Sequence, residues 1–310
     1  MSLLNLLLNP PEGLTLPAIM FLSFLLGMMH GATPDEHTWP ITFSYAVGSY
    51  STRRGMKAGF LFSTGFTAQR ALLTTLGFVG LAAFYQRYNL DGPVYIVVGV
   101  VMAVAGSYVL KGRYIHLPVD KLLGGNPHHT SSASRVSEDM AHNREVPLKM
   151  TVLHGLIAGF GFGAYATIVT FVLAPQVPSV VYAPLPGAMF GLGTMSMQIL
   201  FGAAFANLAR IKKLTQEEIS IIGRSTAGRT LYYGGIAFMF IGLLIVAFPL
   251  LDQLSISTGN PIPNLDAVNV GFVLVVSVVG VIGVGSLVKS YMDMTSIKRN
   301  RKSYSLPKQT

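Results

Sequence analysis

The 310-residue chain contains no cysteine. That absence excludes disulfide stapling, a thiol relay and any thiolate metal site, so a metal would have to be held by nitrogen, oxygen or methionine sulfur. Charge is also scarce, at 11% of residues, against about 25% in an ordinary soluble domain. A P-loop, a Gly-rich dinucleotide fingerprint and an H-E-x-x-H pair are all missing. No nucleophile accompanied by an acid/base pair is evident, so the chain reads as a non-enzyme without a cofactor. If it transports, its energy comes from an ion gradient, the membrane potential or a separate subunit. The opening MSLLNLLLNPPEG lacks a basic n-region and a small-residue cleavage pattern, and reads as an interfacial segment over 1–13 and not as a signal peptide.

What the chain has in abundance is apolar length. Hydrophobic residues make up 51%, and 33 glycines suit helices that pack closely or break within lipid. Seven stretches reach the ~20 residues needed to cross hydrocarbon: 14–32, 58–84, 93–110, 150–174, 183–208, 230–250 and 267–288. Lys and Arg fall on one set of alternate loops: three in 33–57, six in 111–149, five in 209–229 and six from Lys289 onward. The other loops hold only Arg87, and Arg70 lies inside a span. This asymmetry puts the N-terminus outside and the C-terminus in the cytoplasm of a multi-pass cell-membrane protein. It also accounts for the formal charge of +9 without nucleic acid, leaving membrane lipid as the partner of the basic tail 291–310.

Against this apolar background HGATPDEH, 30–37, stands out. His30, Asp35, Glu36 and His37 end the first span, where ionisable groups are costly unless they face a cavity, a partner or an ion. Pro34 removes a backbone donor and breaks the helix there. Imidazole together with carboxylate suits a borderline first-row cation better than Na or Mg. A purely structural alternative has Thr33 as N-cap, Pro34 at the first helical position and acids in the first turn of a new helix. It explains Asp35 and Glu36 but not the flanking histidines. Residues 38–50 stay apolar, so 14–50 is too long for one straight crossing, and a kinked or re-entrant segment around Pro34 and Pro40 is expected.

A weak internal repeat is visible. His30-Gly31 recurs as His154-Gly155, and GFLFSTGF (59–66) is echoed by GAMFGLGT (187–194), at offsets of 124 to 128. Three spans per unit would invert the second unit relative to the first. The expected architecture is therefore an all-α polytopic membrane protein: a first repeat over 14–110, a cytoplasmic linker over 111–149, a second repeat over 150–250 and an extra helix within 251–290. The linker carries His116, His128, His129 and His142, a set that gathers metal or simply punctuates a solvated loop. Gln69 and Arg70, inside the second span, are candidates for substrate or gating roles, or for a structural ion pair.

GMMHGATPDEH resembles the His-x4-Asp-His signature of the nickel/cobalt transporter family and its NicO-type and UreH-like relatives, within the LysE-type superfamily. MKAGFLFSTGF (56–66) looks like that family's second motif, and LHGLIAGFGFGAY (153–165) with FGLGTM (190–195) is similar to stretches of the UreH-like branch. The resemblance implies a permease for a divalent metal ion, Ni or Co, with His30 and Asp35 as metal-site positions and His154 in the matching place of the second half. With His37 from the residue pattern itself, the candidate ligands are His30, Asp35, His37 and His154, and a homo-oligomer is an open option. The chain departs from the pattern at Glu36, where the family has its last His, and at Phe66, where its second motif ends in His. Because imidazole must be deprotonated to ligate, uptake is expected to weaken below about pH 6.5. Two rivals remain: an anion or small-solute exporter using Arg70, and a non-transporting maturation factor whose His loop delivers metal to a client.

Overall fold

The computed structural model describes residues 2–36, 38–49, 51–80, 91–111, 148–161, 163–208 and 214–304. The chain is an all-α membrane protein whose only strands among these residues are the short antiparallel pair β1 (Ser255–Ser257) and β2 (Ala267–Asn269). The helices are α1 (Leu3–Leu8), α2 (Leu16–Ala32), α3 (Trp39–Gly48), α4 (Thr52–Phe78), α5 (Asp91–Lys111), α6 (Met150–Ala158), α7 (Ala164–Thr167), α8 (Pro184–Leu208), α9 (Gln216–Ala247), α10 (Val270–Val275) and α11 (Gly285–Tyr304). π-Helical turns continue α7 over Ile168–Leu173 and join α10 to α11 over Val276–Val284.

Among the described residues four stretches are long and apolar enough to cross a membrane: Asp91–Leu110, Val180–Leu208, Glu217–Ala247 and Val270–Ser296. The expected first and fourth spans take a different form, because each is interrupted. α2 stops at Ala32 and the chain resumes helix at Trp39; α6 stops at Ala158 and resumes at Ala164. α3 is not re-entrant. His30 packs on Phe190, Trp39 on Phe201 and Phe43 on Phe205, so α2 and α3 advance in one direction along α8 as a single discontinuous rod. A regular helix could not continue through Pro34, which lacks an N–H for the carbonyl four residues back.

Glycines set the packing and reveal the symmetry. A Cβ on Gly27 would overlap the Phe190 carbonyl oxygen, and one on Gly155 would overlap that of Phe62. Gly193 abuts Phe24 and Met28, and Gly65 abuts Val152 and Leu156; Gly31 meets the Met197 side chain, and Gly159 that of Gln69. Every contact in the first of each pair becomes the second on a shift of 128 residues, for example 27 to 155 and 190 to 62. Along these seams α2 runs parallel to α8 and α6 parallel to α4. In contrast α4 and α8 run antiparallel, with Gly55 against Gly202, Gly59 against Gln198 and Gly187 against Arg70. α2 and α6 therefore point in opposite directions, as an inverted repeat requires.

The packing selects the offset of 128 over 124. Gly31 corresponds to Gly159, and the partner of His30 is Ala158, while His154 sits one helical turn away, opposite Leu26. The expectation that His154 occupies the place of His30 in the second half is corrected on that ground.

Candidate functional site

Thr15, with Pro17 in the first turn, starts α2, and its small residues allow the close approach to α8 that carries His30 into the protein interior. At its far end the carbonyls left by the break find side-chain donors. The Thr33 hydroxyl lies 3.0 Å from Met29 O and 3.4 Å from His30 O. Gly31 O accepts from Gln198 Nε2 at 3.3 Å and from Trp39 Nε1 at 3.4 Å. Buried backbone acceptors are seldom left alone, and here the partners fix an irregular segment at depth.

His30 and Asp35 are both buried, and Nδ1 of His30 is 3.7 Å from Oδ2 of Asp35. The imidazole is surrounded by Phe66 (centroids 5.6 Å apart, nearly parallel), Phe190 (5.2 Å) and Tyr165 (6.2 Å, edge-on). Arg70 shares those rings: its guanidinium lies 4.7 Å from the Phe66 centroid and 5.6 Å from that of Phe190. It donates to Gly161 O, in the second break, at 2.6 Å. The two interrupted rods thus meet around one cluster, with Asp35 and His30 from the first and a backbone carbonyl from the second. Arg70 corresponds under the 128-residue shift to Gln198, and each donates to a carbonyl exposed by a break.

His154 is held elsewhere. Its Nδ1 is 2.9 Å from Met150 O and 3.1 Å from the Tyr45 hydroxyl. Among the described residues no three His, Cys, Asp or Glu side chains gather into a metal-holding group, so His30, Asp35 and His154 do not form one ligand set. His37 lies outside the described residues, as do linker residues 112–147 with their four histidines. Gln69 is fully buried against Gly159, and its amide has no hydrogen-bond partner among the described residues.

Glu36 faces away from this cluster, accepting from Tyr95 Oη at 3.0 Å and filling the space beside Gly271. With Pro34 it lines a cavity of about 250 Å³ whose walls include Asp91, Asp252, Asp266 and Asn264. The connection between α9 and α10 forms one side. Its Asn264, with a left-handed φ of 68°, donates to Thr33 Oγ1 at 3.2 Å, and Pro263 O accepts from the Tyr165 hydroxyl at 3.2 Å. One loop thereby touches both interrupted rods.

Sequence reasoning found His30, Asp35 and Arg70 but missed Phe190, Tyr165 and Gln198. Gln198 carried a usable signal, as an amide in an apolar span 128 residues after Arg70. The aromatic residues carried none, since the sequence is rich in them.

Fold and site together define a helical membrane protein built on an inverted repeat, with a buried ionisable cluster where two interrupted helices meet. No protein-family model, curated protein or solved structure matches the chain.

Proposed function

We propose that this protein is a multi-pass secondary transporter of a divalent transition-metal cation, nickel or cobalt, with His30 and Asp35 as its first ligands. The observation that carries the proposal is the buried His30–Asp35 pair at 3.7 Å in a helix break, at the meeting of two inverted halves. Irregular backbone at depth belongs where it lines a path, and inverted repeats place substrate sites at the repeat interface. His37, two residues beyond Asp35, is the third candidate ligand. The acidic cavity beside Pro34 supports a cationic substrate, because carboxylates on low-dielectric walls concentrate positive ions. The asymmetry of the loop charges supports an N-terminus outside and a C-terminus in the cytoplasm of the cell membrane. Rocking of the halves would alternate access to the site.

A second reading, export of an anion or small solute, is favoured by Arg70, whose guanidinium shares Phe66 and Phe190 with His30. Calorimetric titration of Ni, Co, Zn and Mg into the full-length protein in detergent separates the two. On the metal reading, Ni or Co binds at a site that both His30→Ala and Asp35→Asn remove, while histidines of the linker contribute equally to all three proteins. A titration identical in wild type and both variants would reject the metal reading and turn attention to Arg70.

A further inference from the structure

We infer that a groove between α9 and the last helix holds one anionic phospholipid of the cytoplasmic leaflet, its phosphate on Lys289 and Arg229 and an acyl chain along the apolar wall. The inference does not depend on what the protein transports. α9 and the helix that ends the chain pack antiparallel: Gly234 of α9 meets Val278, while Arg229, earlier in α9, reaches Ser290 and Asp293. Beside this seam lies an open groove of about 650 Å³. On the α9 side Arg229, Tyr233, Ile236 and Phe240 line it, at spacings of three and four that make one stripe along the helix. On the other side Gly285 keeps it open, since a Cβ there would meet nothing within 4 Å, and Lys289 stands one turn further on. Ile236, Phe240 and Val281 are exposed apolar side chains in its walls.

Length and charge together select the occupant. Both cations sit where the apolar stretches stop, Arg229 directly before 230–250 and Lys289 directly after 267–288. From Arg229 to Phe240 the helix rises about 16 Å, which is one leaflet, or half of a ~30 Å hydrocarbon core. Tyr233, one turn in from Arg229, puts an amphipathic ring at headgroup depth. Arg229 is paired with Asp293 at 3.1 Å, so the two cations and that carboxylate leave one positive charge at the end of the groove. A phosphodiester brings one negative charge and neutralises it. A second copy docking the same stripe about a two-fold axis would instead set like charge against like. The cationic end adjoins loop 209–229 and the tail from Lys289, with five and six Lys or Arg, the side for which the loop charges support the cytoplasm. Anionic lipid is concentrated in that leaflet, and basic pockets between helices there take its headgroups.

The test is native mass spectrometry of the delipidated full-length protein in detergent, titrated with phosphatidylglycerol or with phosphatidylcholine of the same acyl chains. The inference expects one phosphatidylglycerol per chain, retained more tightly than phosphatidylcholine. Lys289→Gln should weaken that retention about fivefold. Gly285→Leu, whose side chain enters the open space of the groove, should abolish it without lowering the melting temperature. The basic tail contributes equally to all three proteins, so the differences between them report the groove. Equal retention of the two lipids, or of phosphatidylglycerol by all three proteins, overturns the inference. Soluble glycerol phosphate should not bind; binding as tight as that of the lipid overturns the lipid assignment in favour of a free phosphate. Loss of a dimer in Gly285→Leu with bound lipid unchanged overturns it as well, and gives the groove to a second copy of the chain.

Discussion

The two helix breaks solve one backbone problem with different chemistry. The first, Thr33 to Thr38, is polar and brings a carboxylate to a buried imidazole; the second, Gly159 to Gly163, contains only glycine and phenylalanine. The helices that enter them correspond under a shift of 128 residues, yet the second break contributes a carbonyl, that of Gly161, and no ionisable side chain. The comparison separates what the architecture needs, which is a break in each half, from what the chemistry needs, which is needed only once. A two-fold scaffold can hold a one-sided site.

The sharpest way to break the comparison is through the seams that define it. Gly27→Ala and Gly155→Ala each drive a methyl into a main-chain carbonyl, which cannot retreat as a side-chain tip can. Both should lower stability by about 3 kcal/mol, the upper end for overpacking, whereas Gly285→Ala, with open space around it, should leave the melting temperature in detergent unchanged. Unequal losses at positions 27 and 155 would mean that the 128-residue equivalence does not extend to energetics.

Arg70→Gln makes the two donors alike, since Gln198 already serves the first break. Removing a charged donor from a buried carbonyl should destabilise by about 1.5–3 kcal/mol and abolish transport in either functional reading, measured as uptake into proteoliposomes. Retention of full transport would reduce Arg70 to an anchor. Thr33→Val probes the first break alone. It removes the hydroxyl that covers Met29 O and His30 O and accepts from Asn264, for an expected loss of about 1–2 kcal/mol. The smallest effect belongs to the ion pair of Arg229 with Asp293 at 3.1 Å, which is partly exposed. Asp293→Asn should change stability by less than about 1 kcal/mol, read from the same thermal unfolding experiment.

The membrane class, the broken first helix and the existence of a repeat were legible in the sequence because each depends on local composition: apolar length, Pro34 and Gly-rich echoes. The register of the repeat was not. His-Gly dipeptides at 30 and 154 suggested 124 and the echo of 59–66 at 187–194 suggested 128, and the seating of Gly27, Gly31, Gly155 and Gly159 against their neighbours decides for 128. Likewise the pairing of Asp35 with His30 could be anticipated from their spacing, and Arg70 lies beside Phe66 by the i, i+4 spacing on α4, but its place beside Phe190 depends on how α4 and α8 cross, which no local pattern encodes. His154 shows the same limit in reverse: the residue stands out in the sequence, and its neighbours Tyr45 and Met150 could not be foreseen.

The π-helical stretch Val276–Val284 bears on how the last helix meets its neighbour. Beyond it Ser290 and Asp293 reach Arg229 of α9, at 3.1 Å in each case. A wide turn accommodates an additional residue relative to an α-helix, and each residue of an α-helix advances the azimuth by about 100°. Deleting one valine from the stretch would therefore swing Ser290 and Asp293 out of reach of Arg229, while an equal deletion in an exposed loop would go unnoticed. For this helix, indel tolerance is governed by angular phase and not by length, and the bulge is the place where that phase is set.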